Sequence, residues 1–251
     1  MTDRLSFSPL RLFALADSES VAHAFADAGV DAVIRRRPRM RDGAEGAPLS
    51  EWAAQLDVPL FIQIHRFHAG TGLEVERAIE IGASGIALPG AYSAGEVETL
   101  IRLVRNRAKT LIHVDLPRLL EEAEALRRLD WDHLHIGLHR SVRTMVGGLH
   151  ENARKNSLIA DVVASMGERS VSSSVLSFRP DGTIARVDLH PLREVSRTRS
   201  PFLIVDAPHT LPREVVSTWI RSIRRAWSDA KRPSPLPSPA EWDRSWASPP
   251  R

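Results

Sequence analysis

Short apolar runs alternate with stretches of helical spacing along most of the chain. LRLFALA (10–16), VDAVIRR (30–36), VPLFIQIH (58–65), SGIALPG (84–90), KTLIHVD (109–115) and DHLHIGL (132–138) read as strands. Between them lie ESVAHAFADAG, PLSEWAAQL, GLEVERAIEIGA, SAGEVETLIRLVRNR and PRLLEEAEALRRL, each with apolar positions three and four apart. Their ends carry helix signals. Ser93 with Glu96 forms a capping box, Pro117 opens the fifth helix and Gly82 stops the third. Later the pattern weakens. ENARKNSLIADVVASMG reads as a helix, VSSSVLSF as a seventh strand and SPFLIVDA as an eighth. PREVVSTWIRSIRRAW closes the series as an amphipathic helix.

Regular strand–helix alternation with short connections implies a parallel sheet. Nearly continuous apolar strands imply burial on both faces. Eight strands predict a closed (β/α)8 barrel, a TIM barrel, as a single domain over 1–230. The doubly wound alternative lacks a glycine-rich dinucleotide fingerprint after the first strand. The segment 231–251 is rich in proline and serine and reads as an extended tail. Its Trp242 and Trp246 could dock it on the barrel or on a neighbouring copy.

Composition narrows the class without naming a function. The chain has 251 residues, enough for one barrel of roughly 250 residues, with 43% hydrophobic and 26% charged residues. No apolar run reaches the ~18 residues of a membrane span, and the N-terminus lacks a signal-peptide core, so a cytoplasmic protein is expected. The absence of cysteine excludes disulfides, thiolate ligands and thiol nucleophiles. A net charge of +3 and a single tyrosine argue against a nucleic-acid surface. Arg35, Arg36, Arg37 and Arg39 form the densest basic run.

In such a barrel the chemistry gathers at the C-terminal ends of the strands. Those ends offer Arg35, Arg36 and Arg37, then Gln63, His65 and Arg66, then Pro89 and Gly90. His113 and Asp115 follow, then Gly137, His139, Arg140 and Ser141, and finally Asp206 and His209. The set is cationic. Arginines at one mouth would grip a carboxylate or phosphate through paired N–H groups. His65, His113 and His139 are candidates for proton transfer. Asp115 is placed to bind a metal, orient a histidine, hold an arginine or simply cap the next helix. A histidine metal site from His65, His113 and His139 has no supporting ligand spacing.

The middle of the chain resembles a known family. VPLFIQIH, IGASGIALPGAYSAGEVETL, LIHVDLPRLLEEAEAL and WDHLHIGLHRS are similar in order and spacing to the HpcH/HpaI aldolases and citrate lyase β-subunits. The resemblance covers roughly 58–148. It implies a barrel of the phosphoenolpyruvate/pyruvate superfamily that makes or breaks C–C bonds beside a 2-oxo acid. It also implies Mg2+, a small carboxylate substrate and assembly as a homo-oligomer. The family's strand-three arginine falls on Gln63, with Arg66 three residues on. Its metal glutamate falls on Asp115, and its second metal carboxylate on Arg140. The resemblance therefore implies an altered site, in which a guanidinium at Arg140 stands where a metal would be. Two other readings stay open: a phosphate-ligand barrel resembling thiamine phosphate synthase, and a non-catalytic descendant that binds a ligand or partner.

Overall fold

The computed structural model describes residues 10–36, 49–137, 166, 170–172, 175–177, 202–207 and 211–230. Six strands alternate with five helices at first: β1 (Arg11–Ala16), α1 (Glu19–Asp27), β2 (Ala32–Arg35), α2 (Leu49–Gln55), β3 (Leu60–Gln63), α3 (Thr71–Glu80), β4 (Gly85–Leu88), α4 (Ala94–Val104), β5 (Lys109–Asp115), α5 (Leu116–Arg128) and β6 (His133–Gly137). Then come β7 (Ser170–Ser172), β8 (Val175–Ser177), β9 (Phe202–Asp206) and α6 (Arg213–Ala230). Of the predicted helix over 151–167 only Met166, buried and in a turn, is among the described residues, and the tail 231–251 lies outside them. Among the described residues, no helix is long and apolar enough to cross a membrane.

The expectation of a closed (β/α)8 barrel is corrected here. The strands form one all-parallel open sheet in the order β7-β6-β5-β4-β3-β2-β1-β9-β8, with six helices among the described residues. The reason lies in the segment read as a seventh strand. VSSSVLSF provides two short strands, not one: β7 pairs with β6, and β8 pairs with β9. These are the two edges of the sheet.

The sheet curls strongly into an open half-barrel. Side chains alternate between faces, so Phe13, Ala32, Ile34, Phe61, Ala87, Leu111, Phe202 and Ile204 gather on the concave side. Rings from different strands meet there: Phe13 lies 5.0 Å from Phe202 and 5.5 Å from Phe61, centroid to centroid. The convex side packs against the helices in a larger core that includes Leu12, Val33, Ile62, Ile86, Ile112, Leu134 and Val205. Two helix starts are capped by serines, Ser93 as the sequence signalled and Ser18 in addition. Ser18 and Ser93 accept backbone N–H bonds from Val21 and Glu96, and the Glu96 carboxylate takes the Tyr92 N–H at 2.7 Å. At the opposite end of the sheet, Asp132 ties β5 to β6 by accepting from Lys109 Nζ at 2.7 Å and the Thr110 N–H at 2.9 Å.

Gly85 illustrates how tightly the concave side is filled. A Cβ at this position would overlap the Phe61 ring, itself buried. Gly85→Ala will cost about 1–3 kcal/mol through overpacking. Urea unfolding of the two proteins measures it, and a midpoint unchanged from wild type would contradict the packing described.

Candidate functional site

β5 and β6 run side by side in a register that pairs His113 with His135 and Asp115 with Gly137. Alternation puts all four on the concave face at the C-terminal ends of the strands. The two rings stack with centroids 4.7 Å apart, and their Nδ1 atoms are 2.7 Å apart. That contact holds one proton, because one nitrogen must donate and the other accept. His113 Nε2 faces the Asp115 carboxylate at 3.6 Å, within ion-pair range but beyond a hydrogen bond. Burial lowers the His113 pKa, Asp115 opposes this, and Arg66 adds to the lowering. His113 is thus held neutral, with a carboxylate ready to stabilise its protonated form.

Asp115 occupies the N-cap position of α5, yet its side chain makes no capping bond. The helix-cap alternative for this residue therefore accounts for its place but not for its carboxylate, which lies near His113.

Arg66 follows β3 and reaches across to the end of β4. Its Nε would lie 3.3 Å from a Cβ at Gly90, whose φ of +64° favours glycine. Pro89 and Gly90 form the bend beneath this guanidinium, and the Ala91 N–H donates to the His113 carbonyl at 2.7 Å. Gln63 is half-buried on the same face, level with Ala87. Arg66, Gly90, His113, Asp115 and His135 thus form one constellation across β3 to β6.

Other expected residues stand elsewhere. Arg35 points to the helical layer, where its guanidinium covers the Trp52 ring at 4.7 Å. Among the described arginines of that run, Arg36 is the one on the concave side, bonded to Asp206 at 2.9 Å and near Asp17 at 3.6 Å. His65 turns toward α3, where its Nδ1 contacts Glu74. Arg37, Arg39, His139, Arg140, Ser141 and His209 lie outside the described residues.

Sequence reasoning passed over His135, His68, Glu74 and Asp17. His135 was legible, since it shares the strand parity of Gly137 two residues on. His68 and Glu74 needed the fold, because they meet across a turn between strand and helix.

The Mg2+ implied by the resemblance does not fit these residues. Asp115 is opposed on β6 by a glycine, and its near neighbours are imidazoles. Among the described residues the other mouth carboxylates are engaged as well, Asp17 and Asp206 by Arg36 and Glu74 by His65 and His68. A hard cation that requires mostly oxygen donors has one available carboxylate at the end of β5 and none at the end of β6.

No family model matches the chain, and no curated protein matches it. Among solved structures, it is similar to the HpcH/HpaI aldolase from Desulfitobacterium hafniense DCB-2, with 12% sequence identity and a TM-score of 0.56. The match covers 90% of this chain and 95% of that one. At this identity the likeness establishes a shared fold.

Proposed function

We propose that the chain is a carbon–carbon lyase or aldol-type condensing enzyme acting on a small 2-oxo acid. The observation that carries this reading is the placement of Arg66, over Gly90, at the same end of the parallel strands as the neutral His113 and its Asp115 partner. The similarity to a solved aldolase supports it at the level of fold.

In the cleavage direction, the C3–C4 bond of a 4-hydroxy-2-oxo acid breaks. Its electron pair passes to C3 and onto the 2-oxo oxygen as an enolate, and the 4-hydroxyl proton leaves to a base as the aldehyde forms. Arg66 supplies paired N–H donors and positive charge to the enolate oxygen. His113 is the base, and Asp115 stabilises the imidazolium that results. The same proton, returned to C3, releases the 2-oxo acid. His135 holds the His113 ring through the shared Nδ1 proton. Arg140 is proposed as a second cation of this site, and His139 as a further proton carrier. Assembly as a homo-oligomer and a cytoplasmic location belong to the same proposal.

The partial reaction tests it without knowledge of the aldehyde. Pyruvate in deuterated water will lose its methyl protons in the presence of the protein, followed by NMR. Arg66→Ala and His113→Asn will each slow the exchange by about 100-fold, the effect of removing one oxyanion donor or one general base. Exchange no faster than in buffer would remove the reading.

One observation favours a second reading, a ligand-binding protein without turnover. Arg36 is paired with Asp17 and Asp206, which leaves this cation already satisfied. Oxalate that raises the melting temperature of a protein inactive in the exchange assay would select this reading.

A further inference from the structure

The turn between β3 and α3 carries a group of donors that the lyase reading does not use. His65 leaves the end of β3, His68 lies three residues on, and Glu74 stands in the first turn of α3. One ligand atom from each lies within 4.8 Å of the others. Glu74 Oε1 contacts His65 Nδ1 and lies 3.2 Å from His68 Nε2. The other carboxylate oxygen accepts the His65 backbone N–H at 2.8 Å, which fixes the carboxylate between the rings. The rings meet edge to face, with centroids 5.3 Å apart, so their nitrogens converge from two directions.

The turn itself is held in place. The His68 N–H donates to Thr71 Oγ1 at 2.9 Å, and the Thr71 N–H returns to the His68 carbonyl at 3.0 Å. Thr71 is buried, whereas the His65 and His68 side chains are 41% and 43% exposed. The frame is therefore anchored in the core while its donors are open to solvent.

We infer that His65, His68 and Glu74 form a site for one divalent transition cation of the zinc class. Two imidazole nitrogens and one carboxylate oxygen suit Zn2+ or Co2+, whereas Mg2+ prefers an all-oxygen shell. The cation takes the place of the ring protons that now face Glu74; each ring stays neutral, its one proton passing by exchange with water to the nitrogen that does not bind the cation. His68 binds through Nε2 and keeps its one proton on Nδ1. That exchanges the bond from the Gly70 N–H, 2.9 Å long and exposed, for a bond to water. Three protein donors leave a fourth tetrahedral position for water or a substrate oxygen. This site stands whether or not the chain is a lyase.

The test is a Co2+ titration of the full chain after treatment with a chelator, followed by visible absorption. The expected result is one Co2+ per chain, with ligand-field bands that one equivalent of Zn2+ abolishes and excess Mg2+ leaves unchanged. His68→Ala removes an exposed ring and leaves the core intact. It and Glu74→Gln will each weaken Co2+ binding by about 100-fold, at or beyond the upper end of the loss seen when a ligand's supporting partner is removed. Zn2+ will raise the melting temperature of the wild type and not that of His68→Ala. A wild type without a stoichiometric Co2+ spectrum overturns the inference, as does either variant binding as tightly as the wild type.

Discussion

Phe202→Ala will lower the unfolding free energy by about 3–5 kcal/mol, the usual cost of deleting a fully buried ring. Phe202 is 0% exposed, and its ring stands on the concave side of the curled sheet. Its ring lies 5.0 Å from Phe13 and 5.7 Å from His133, so one residue on β9 touches side chains of β1 and β6. Those neighbours are carried by backbone that is hydrogen-bonded on both sides, and they cannot move in to fill the space. For a chain of this length the loss lowers the melting temperature by on the order of 10 °C. Calorimetry at pH 7 measures it. A loss below about 1 kcal/mol would mean that the concave side is not packed as described.

The second large effect is a dependence of stability on pH that originates in His133. This imidazole is 8% exposed and is surrounded by Phe13, Phe61 and Phe202. Burial pushes its pKa down to about 4, with Arg11 and Lys109 adding to the fall and Asp132 opposing it. Its Nδ1 has no hydrogen-bond partner among the described residues. In the unfolded chain the group takes up a proton near pH 6.5, whereas in the folded protein it stays neutral until about pH 4. Between these values the unfolded state binds more protons, so stability falls as pH falls. Above pH 6.5 the effect is absent, and below pH 4 it is complete at roughly 3 kcal/mol. His113 adds a loss of the same sign, because its pKa is also lowered. His133→Leu, close in volume and unable to ionise, will flatten the His133 part of this slope and gain about 1 kcal/mol at pH 7 by removing an unsatisfied polar atom. Urea unfolding of both proteins from pH 7 to pH 4 decides it; parallel curves would show that His133 is not the source.

The first six strands were legible because each is an apolar run bounded by helix punctuation. Ser93, Pro117 and Gly82 marked the joints correctly. The edges were not legible. VSSSVLSF alternates like one strand, and nothing local in it reveals that its two halves pair with strands at opposite ends of the sheet. Closure is a property of which edges meet, and periodicity reports only which face a residue occupies. The site divides in the same way. Arg66, His113 and Asp115 could be read from strand ends. The outward turn of Arg35 followed from a parity that places it with Val33 on the helical side, a count the basic run obscures. Glu74 lies nine positions from His65 on a helix face, and only the turn between them brings the two together.

Strand β1 lies between β2 and β9. One of its partners, β2, follows it after a single helix, and the other is among the last of the described strands to leave the ribosome. Arg224 on α6 reaches back to the Leu10 carbonyl across 214 positions and also holds Gly29 and Asp31. During translation, β1 therefore presents an open hydrogen-bonding edge until nearly the whole chain has emerged. Contacts of such long range delay the final folding step, because the loop between them must close before its reward is gained. The waiting edge is a site for unwanted pairing with other nascent chains. The yield of soluble protein should thus depend on how fast the chain is made and on what shields β1 in the interval.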